Sequence, residues 1–254
     1  MNMIKKTGYF LLILLSFQSC KFNKSEKSES GSDAPIIVLT FDDAVISHYT
    51  YVAPLLKQYG FGGTFFICEY PRRTPADTLQ YMNWNQISEL NNMGFEIGNH
   101  TRTHKHVNSM HRSEMEEQIA YIEDKCKAHN IPKPVSFAYP GYDTASLAKV
   151  VLKDMGYTYA RIGGSRNFVP AQDNLLLIPS YSTTGSDENA KNRIMDILKN
   201  SKPGDIIVFT IHGVPDIVHP HVNTSPELFS GYLKYMHDHG YKVIAMRDLK
   251  NYIP

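Results

Sequence analysis

Three short stretches of the chain bring together residue types that suit metal binding and proton transfer. Thr40-Phe41-Asp42-Asp43 places two adjacent carboxylates directly after an apolar run. At the end of a buried strand such a pair repels and loses hydration, so a cation or several hydrogen bonds must compensate. A metal on one carboxylate, with the other left as a base, is one solution; a solvated acidic turn is the other. His100-Thr101-Arg102-Thr103-His104 spaces two imidazoles four residues apart. On a helical turn they would face the same way, a spacing that suits a tetrahedral ion such as zinc. Alone, that spacing also fits two unrelated surface histidines. One Asp with two His leaves a coordination position open, which a catalytic site needs and a structural zinc site lacks. Finally, His212-Gly213 follows another apolar run, where an imidazole is placed to act as a general acid. A hydrogen-bonded structural His is the alternative there.

These stretches need a scaffold that gathers strand ends. Short β-branched or aromatic runs recur at 36–41, 63–68, 95–98, 135–138, 157–162, 175–178, 206–211 and 243–245. Several are apolar on both parities, as expected of strands covered on both faces. Helical patterns lie between most of them. Asn83-x-x-Gln86 and Ser113-x-x-Glu116 read as capping boxes, and Ser225-Pro226-Glu227 as an N-cap with a first-turn proline. Gly60, Gly94, Gly156 and Gly240 read as helix stops. The alternation predicts a single α/β domain, either a (β/α) barrel or a doubly wound sheet. In both, chemistry belongs at the C-terminal ends of the strands, where all three stretches fall.

With 254 residues and 42% hydrophobic composition the chain can bury a substantial core. Its 26 basic and 25 acidic residues leave a net charge of +1, which argues against a nucleic-acid partner. Three Cys are too few for a disulfide scaffold, whereas eleven His are a surplus. Lys5 and Lys6 precede an apolar run at 9–17 that ends near Ser19-Cys20. The run has signal-peptide dimensions and is too short to span a bilayer. We expect a signal peptide over 1–19, a lipid-anchored flexible tether over 20–34 with Cys20 as the lipidation site, and a catalytic domain over 35–254. An ordinary secretory signal or an uncleaved anchor is the alternative. The expected location is the cell envelope, on a membrane facing the periplasm or the exterior. Cys68 and Cys126 read as small buried hydrophobes, with a disulfide between them left open.

TFDD at 40–43, HTxxH at 100–104, Phe137-Ala138-Tyr139-Pro140-Gly141-Tyr142 and His212 resemble, in order, the motifs of the carbohydrate esterase family 4 polysaccharide deacetylases, the nodulation-factor deacetylase homology domain. The resemblance covers nearly all of 35–254 and implies a single distorted (β/α)7-type barrel. It also implies removal of N- or O-linked acetyl groups from a polysaccharide or oligosaccharide. Carried over by position, Asp42 is the catalytic base and His212 the acid. Asp43, His100 and His104 hold one divalent metal ion, zinc foremost, with Co2+ or Ni2+ as alternatives. The main-chain N–H of Gly141 faces the oxyanion.

Several positions depart from the family pattern. Ala138 stands where an Arg usually pairs with the base, and Arg161, late in the 157–162 run, is expected to replace it. The Asp that usually orients the acid has no clear counterpart. Ala44 replaces a Gly, and Gly141 stands where Tyr is common. FAYP-type third motifs occur in related sequences, so a divergent subgroup is expected. Tyr139, Tyr142 and His219 are placed to meet substrate, with His48 and His221 as further cleft candidates. Trp84 suits core packing better than sugar stacking. His106, His111, His129, His237 and His239 are expected in surface or helix structure. Two other readings stay open: hydrolysis of another C–N bond on the same scaffold, and non-catalytic carbohydrate binding, suggested by Ala138.

Overall fold

The computed structural model describes residues 34–70 and 79–253. Its centre is β1 (Ile36–Phe41), a strand buried along its whole length. β1 pairs in parallel with β7 (Ile206–Ile211) over six residues, from Ile36 on Ile206 to Phe41 on Ile211. On its other edge β1 is shared. Its first three residues pair with β8 (Lys242–Ile244), and its last two with β2 (Thr64–Ile67). Outward from β2 follow β3 (Glu96–Asn99), β4 (Ser136–Ala138) and β5 (Tyr159–Arg161); beyond β7 lies the two-residue β6 (Tyr181–Ser182). Every strand pairing is parallel. The sheet curls into a distorted half-barrel, with α1 (Ala53–Tyr59), α2 (Trp84–Asn92), α3 (Arg112–Ala128), α4 (Ser146–Asp154), α5 (Glu188–Asn200) and α6 (Pro226–Asp238) between strands.

Two expectations need correction. The run at 175–178 is not a named strand. It meets β5 through a bridge between Ile178 and Arg161, and the next named strand, Tyr181–Ser182, pairs with β7. Pro179 follows Ile178 directly and has no N–H to continue a ladder. The Ser113 capping box is also absent. α3 starts at Arg112 behind an extended His111, so Ser113 already lies inside the first turn. By contrast Asn83 and Gln86 form the reciprocal box at α2, and the Ser225 hydroxyl accepts from Leu228 N–H at α6. Gly60 closes α1 in the left-handed conformation.

Side chains on a strand alternate between faces, and that alternation selects the site. Ile37, Leu39 and Phe41 face the helix-covered core with Phe65, Phe95 and Phe229. Ile36 and Val38 point to the other face with Phe66, Ala138, Tyr159, Ile206 and Val208. Following that second face to the C-terminal strand ends leads through Thr40 to Asp42, through Thr210 to His212, and to Arg161. Near the opposite end of the same face is Glu96, 2% exposed. Its carboxylate accepts from Thr64 Oγ1 (2.7 Å), Ser136 Oγ (2.6 Å) and the Arg247 N–H (2.8 Å), joining β2, β3, β4 and the C-terminal turn. Burial pushes the Glu96 carboxyl up, against the pull of those donors.

Among the described residues no helix is long and apolar enough to cross a membrane. The expected signal peptide, Cys20 and nearly all of the tether lie outside the described residues. Cys68 and Cys126 are buried and do not form a disulfide with each other.

Glu96→Ala leaves the buried Thr64 and Ser136 hydroxyls and the part-buried Arg247 N–H without their acceptor, and each such buried loss costs about 1–3 kcal/mol. Urea denaturation is expected to show a stability loss of roughly 3 kcal/mol or more, with Glu96→Gln losing much less. Metal affinity at the other end of the strands should be unchanged in Glu96→Gln.

Candidate active site

The Asp42 N–H donates to Ile211 O at 2.9 Å, continuing the β1–β7 ladder and bringing Asp42 beside His212. The chain then turns through two left-handed residues, Asp43 (φ 73°) and Ala44 (φ 53°). That conformation costs a non-glycine residue about 1–2 kcal/mol, and it redirects the Asp43 side chain into the same mouth as Asp42. His100 continues the β2–β3 pairing, its N–H donating to Ile67 O at 3.0 Å. The two histidines are not on a helical turn. Residues 101–106 form a loop with left-handed Thr101 (φ 60°) and His104 (φ 57°). It is pinned by Asn99 Oδ1, which accepts from Thr101 N–H at 2.9 Å, and by Gln118 Oε1, which accepts from Thr103 N–H at 2.9 Å.

The donor atoms of Asp43, His100 and His104 lie within 4.8 Å of one another. Asp43 Oδ1 is 3.6 Å from both His100 Nε2 and His104 Nε2. Ligands bound at 2.0–2.1 Å in a tetrahedron around zinc stand about 3.3–3.4 Å apart, close to the separation of Asp43 from each histidine, so the trio could hold a divalent ion. His100 Nδ1 donates to Ala138 O at 2.7 Å, since a carbonyl can only accept, and this leaves Nε2 as the free lone pair. Burial pushes the Asp43 carboxyl up, but the imidazoles of His100, His212 and His104 and the Tyr70 hydroxyl outweigh it and hold it low. Burial, reinforced by His100, lowers His104 to about 4.

Arg161 reaches Asp42: Nη2 donates to Oδ2 at 2.6 Å, and Nη1 donates to Thr210 Oγ1 at 2.8 Å. The guanidinium is fully buried between the Phe66 ring at 5.7 Å and the Tyr142 ring at 5.3 Å. Arg161 is the register partner of Ala138 on the adjacent strand. Asp42 Oδ1 has no protein hydrogen-bond partner. His212 Nε2 stands 3.9 Å from Asp43 Oδ2, and His212 Nδ1 also has no protein partner. Asp42, Asp43, His100, His104 and His212 line a cavity of about 370 Å³ with Tyr70, Tyr139, Gly141, Tyr142, Ser182, Thr184, His219, His221 and Val222. A cavity of about 390 Å³ at the other end of the strands includes Glu96, Lys133 and Arg247, but the Glu96 carboxylate there is already hydrogen-bonded to three donors.

A family model for polysaccharide deacetylases matches residues 29–160, half of the chain. The chain belongs to the polysaccharide deacetylase family. It is 23% identical over 219 residues to the bifunctional xylanase/deacetylase of Pseudobutyrivibrio xylanivorans, covering 82% of this chain but 32% of that protein. It is also 23% identical to the peptidoglycan-N-acetylglucosamine deacetylase of Bacillus cereus, covering 88% and 92% of the two chains. Among solved structures, a family 4 acetyl xylan esterase from Clostridium thermocellum with a cobalt ion superposes at TM-score 0.57 and 19% identity, over 86% of this chain and 93% of that one. The carbohydrate esterase domain of a xylanase from the hindgut metagenome of Trinervitermes trinervoides gives 0.57 at 18%, over 85% and 89%. At these identities the structures show a shared fold. Family membership makes the chain a hydrolase of the deacetylase class.

Within this polysaccharide deacetylase domain the sequence-derived residues separate into two groups. Asp42, Asp43, His100, His104, Gly141, Tyr142, His212, His219 and His221 share the cavity. Tyr139 lines it too, but its ring is buried and its hydroxyl donates to Leu176 O at 3.1 Å. Trp84 lies outside, donating to Glu69 Oε1 and stacked on His129 at 5.5 Å. His48 sits behind the cavity, fully buried, its Nε2–H donating to His212 O at 3.0 Å. The buried Asp216 accepts from the Gly213 and His219 N–H groups at 3.3 and 2.7 Å, holding the loop rather than the His212 ring. His106, expected in surface structure, lies against Gly141: a Cβ there would stand 2.3 Å from His106 Cε1. That contact and the left-handed φ of 62° explain glycine at this position. Tyr70, Ser182 and Thr184 were not foreseen. Tyr70 stands just beyond the end of β2, so the strand-end rule applied to every strand would have found it; β6 is too short to leave a signal.

Burial holds His48 near 4, against an ordinary 6.5. Between those values the unfolded chain binds a proton that the folded chain refuses, so stability rises with pH across this window and the contribution is lost as pH falls toward 4. The displacement is worth on the order of 3 kcal/mol. Urea denaturation of metal-free protein from pH 4 to 7 should show that rise, and His48→Phe should flatten it. An unchanged slope would count against a neutral buried His48.

Proposed function

We propose that the protein removes N- or O-linked acetyl groups from a polysaccharide or oligosaccharide at the cell envelope. The observation that carries this reading is Asp42, clamped by Arg161 through one oxygen and free at the other, beside the Asp43–His100–His104 trio in one cavity. The names of the two curated relatives, a xylanase/deacetylase and a peptidoglycan-N-acetylglucosamine deacetylase, support an acetylated sugar polymer as substrate. The envelope location rests on Lys5, Lys6, the 9–17 run and Cys20.

Asp43, His100 and His104 would hold one divalent ion, with zinc the first choice and cobalt or nickel the alternatives. Such an ion supplies Lewis-acid polarisation of the acetyl carbonyl and eases deprotonation of water. Asp42 Oδ1 takes a proton from the attacking water, whose oxygen forms the new bond to the acetyl carbon. Arg161 holds Oδ2, so the free oxygen keeps a fixed direction. The Gly141 N–H donates to the oxygen that gains negative charge. His212 Nε2 gives a proton to the departing amine or alcohol as the C–N or C–O bond breaks, and acetate is released. Tyr142, His219 and His221 supply surfaces for the sugar. Ala138 by itself suggests a protein that only binds carbohydrate, but Arg161 occupies the position against Asp42 that Ala138 leaves open, and the reason for that reading goes with it.

Acetate release from acetylated chitooligosaccharides, acetylated xylan and peptidoglycan fragments tests the proposal in the presence of Zn2+ or Co2+. Asp43→Ala, His100→Ala and His104→Ala are each expected to abolish both metal binding and turnover. Asp42→Asn should retain the ion and lose about 10²–10⁴-fold in kcat, the usual worth of a positioned base. Arg161→Ala should likewise lower kcat with the ion retained. Full activity in any one of the three ligand variants, or hydrolysis of other amides without acetate release, would overturn the reading.

A further inference from the structure

Tyr70 follows the end of β2 by three residues. Its hydroxyl hydrogen-bonds to Asp43, and the residue lines the cavity beside Asp43, His100 and His104. Its ring lies 5.5 Å from the His104 ring and 5.9 Å from the His219 ring. The residue thus touches two members of the candidate metal trio, one through a hydrogen bond and one through its ring.

Asp43 has particular need of such support. It sits in a left-handed turn beyond the last ladder residue, so no neighbouring strand fixes its side chain. Its Oδ1 must face His100 and His104 together, at 3.6 Å from each, while the Cys68 thiol approaches the same oxygen at 3.8 Å. A thiol is a weak donor and cannot by itself fix a carboxylate. Groups of this kind behind a ligand orient it and set its affinity.

We propose that Tyr70 is a positioning residue for the metal site: its hydroxyl fixes the Asp43 carboxylate and its ring braces His104, so the three donors are arranged before an ion arrives. This rests on the reading of Asp43, His100 and His104 as metal ligands. It assigns Tyr70 a role toward the ion rather than toward the sugar.

The test is titration of the metal-free full-length chain with Co2+ and, against a competing chelator, Zn2+. The wild type should bind one equivalent. Tyr70→Phe keeps the ring and loses the hydroxyl; it should bind roughly tenfold or more weakly, within the range seen when a group behind a ligand is removed. Its visible cobalt absorption should shift, while its metal-free melting temperature stays that of the wild type. Tyr70→Leu, which also removes the brace on His104, should bind more weakly still. Wild-type affinity and an unchanged cobalt spectrum in Tyr70→Phe would overturn the inference, and a fall in kcat/KM alone would then assign Tyr70 to the substrate. Failure of the wild type to bind either ion would overturn the metal-site reading and this inference together.

Discussion

Two neighbouring carboxylates almost wholly removed from water set the terms for everything around them. Asp42 is 2% exposed and Asp43 4%, and an uncompensated charge in such a place is prohibitively costly. The fold settles the two charges separately. Asp42 faces Arg161 through a 2.6 Å ion pair, and Asp43, in the same mouth, stands nearest His100, His104 and His212. The separation is a backbone event, because a strand presents successive side chains to opposite faces and Asp43 would otherwise point into the helix-covered core. The left-handed pair Asp43–Ala44 cancels that alternation and returns the second carboxylate to the mouth.

The cation beside Asp42 comes from β5 although the family pattern draws it from β4, and sheet register explains why the exchange is tolerated. Ala138 and Arg161 are paired residues on adjacent strands, so they stand at the same height above the sheet. Moving the guanidinium one strand outward adds about 4.8 Å of lateral distance, which a long arginine side chain can span. Ala138 leaves the path clear. Phe66 and Tyr142 then bracket the guanidinium, favourable through cation–π contact and effective in keeping water from the pair. Gly98 takes part at one remove: a Cβ there would lie 2.4 Å from the Phe66 ring, displacing one face of that bracket.

The sequence made legible what depends on local pattern. Strand-final Asp42 and His212 follow from apolar runs of six residues that the structure keeps intact as β1 and β7. The clamp by Arg161 was reachable as well, because a charge at the end of a neighbouring strand is a positional argument. What stayed hidden depends on loops and on contacts between them. The spacing of His100 and His104 suggested a helical turn, but residues 101–106 reach the same convergence through left-handed residues and side-chain ties from Asn99 and Gln118. Gly141 read as a departure from a pattern until His106, on a separate loop, was found in the space its side chain would need. The 175–178 run carries strand-like composition, yet composition cannot show that its pairing with β5 stays a single bridge at Ile178, directly before Pro179.

The strain in this molecule is gathered at the candidate site. Of the seven described non-glycine residues with positive φ, Asp43, Ala44, Thr101, His104 and Tyr142 lie in or directly beside the cavity; only Asn130 and Ser165 do not. Such conformations persist only where the surroundings over-determine them, and here the surroundings are the long β1–β7 ladder on one side and the buried α3 face on the other. Each strained residue redirects a side chain that regular strand geometry would have sent elsewhere. Asp43 and His104 are thereby aimed at a common point, and Tyr142 is laid over Arg161. A glycine at 44 would relieve the turn but leave Asp43 freer to leave that point. The alanine costs some stability and narrows the set of backbones the loop can adopt, which keeps the Asp43 carboxylate at that point.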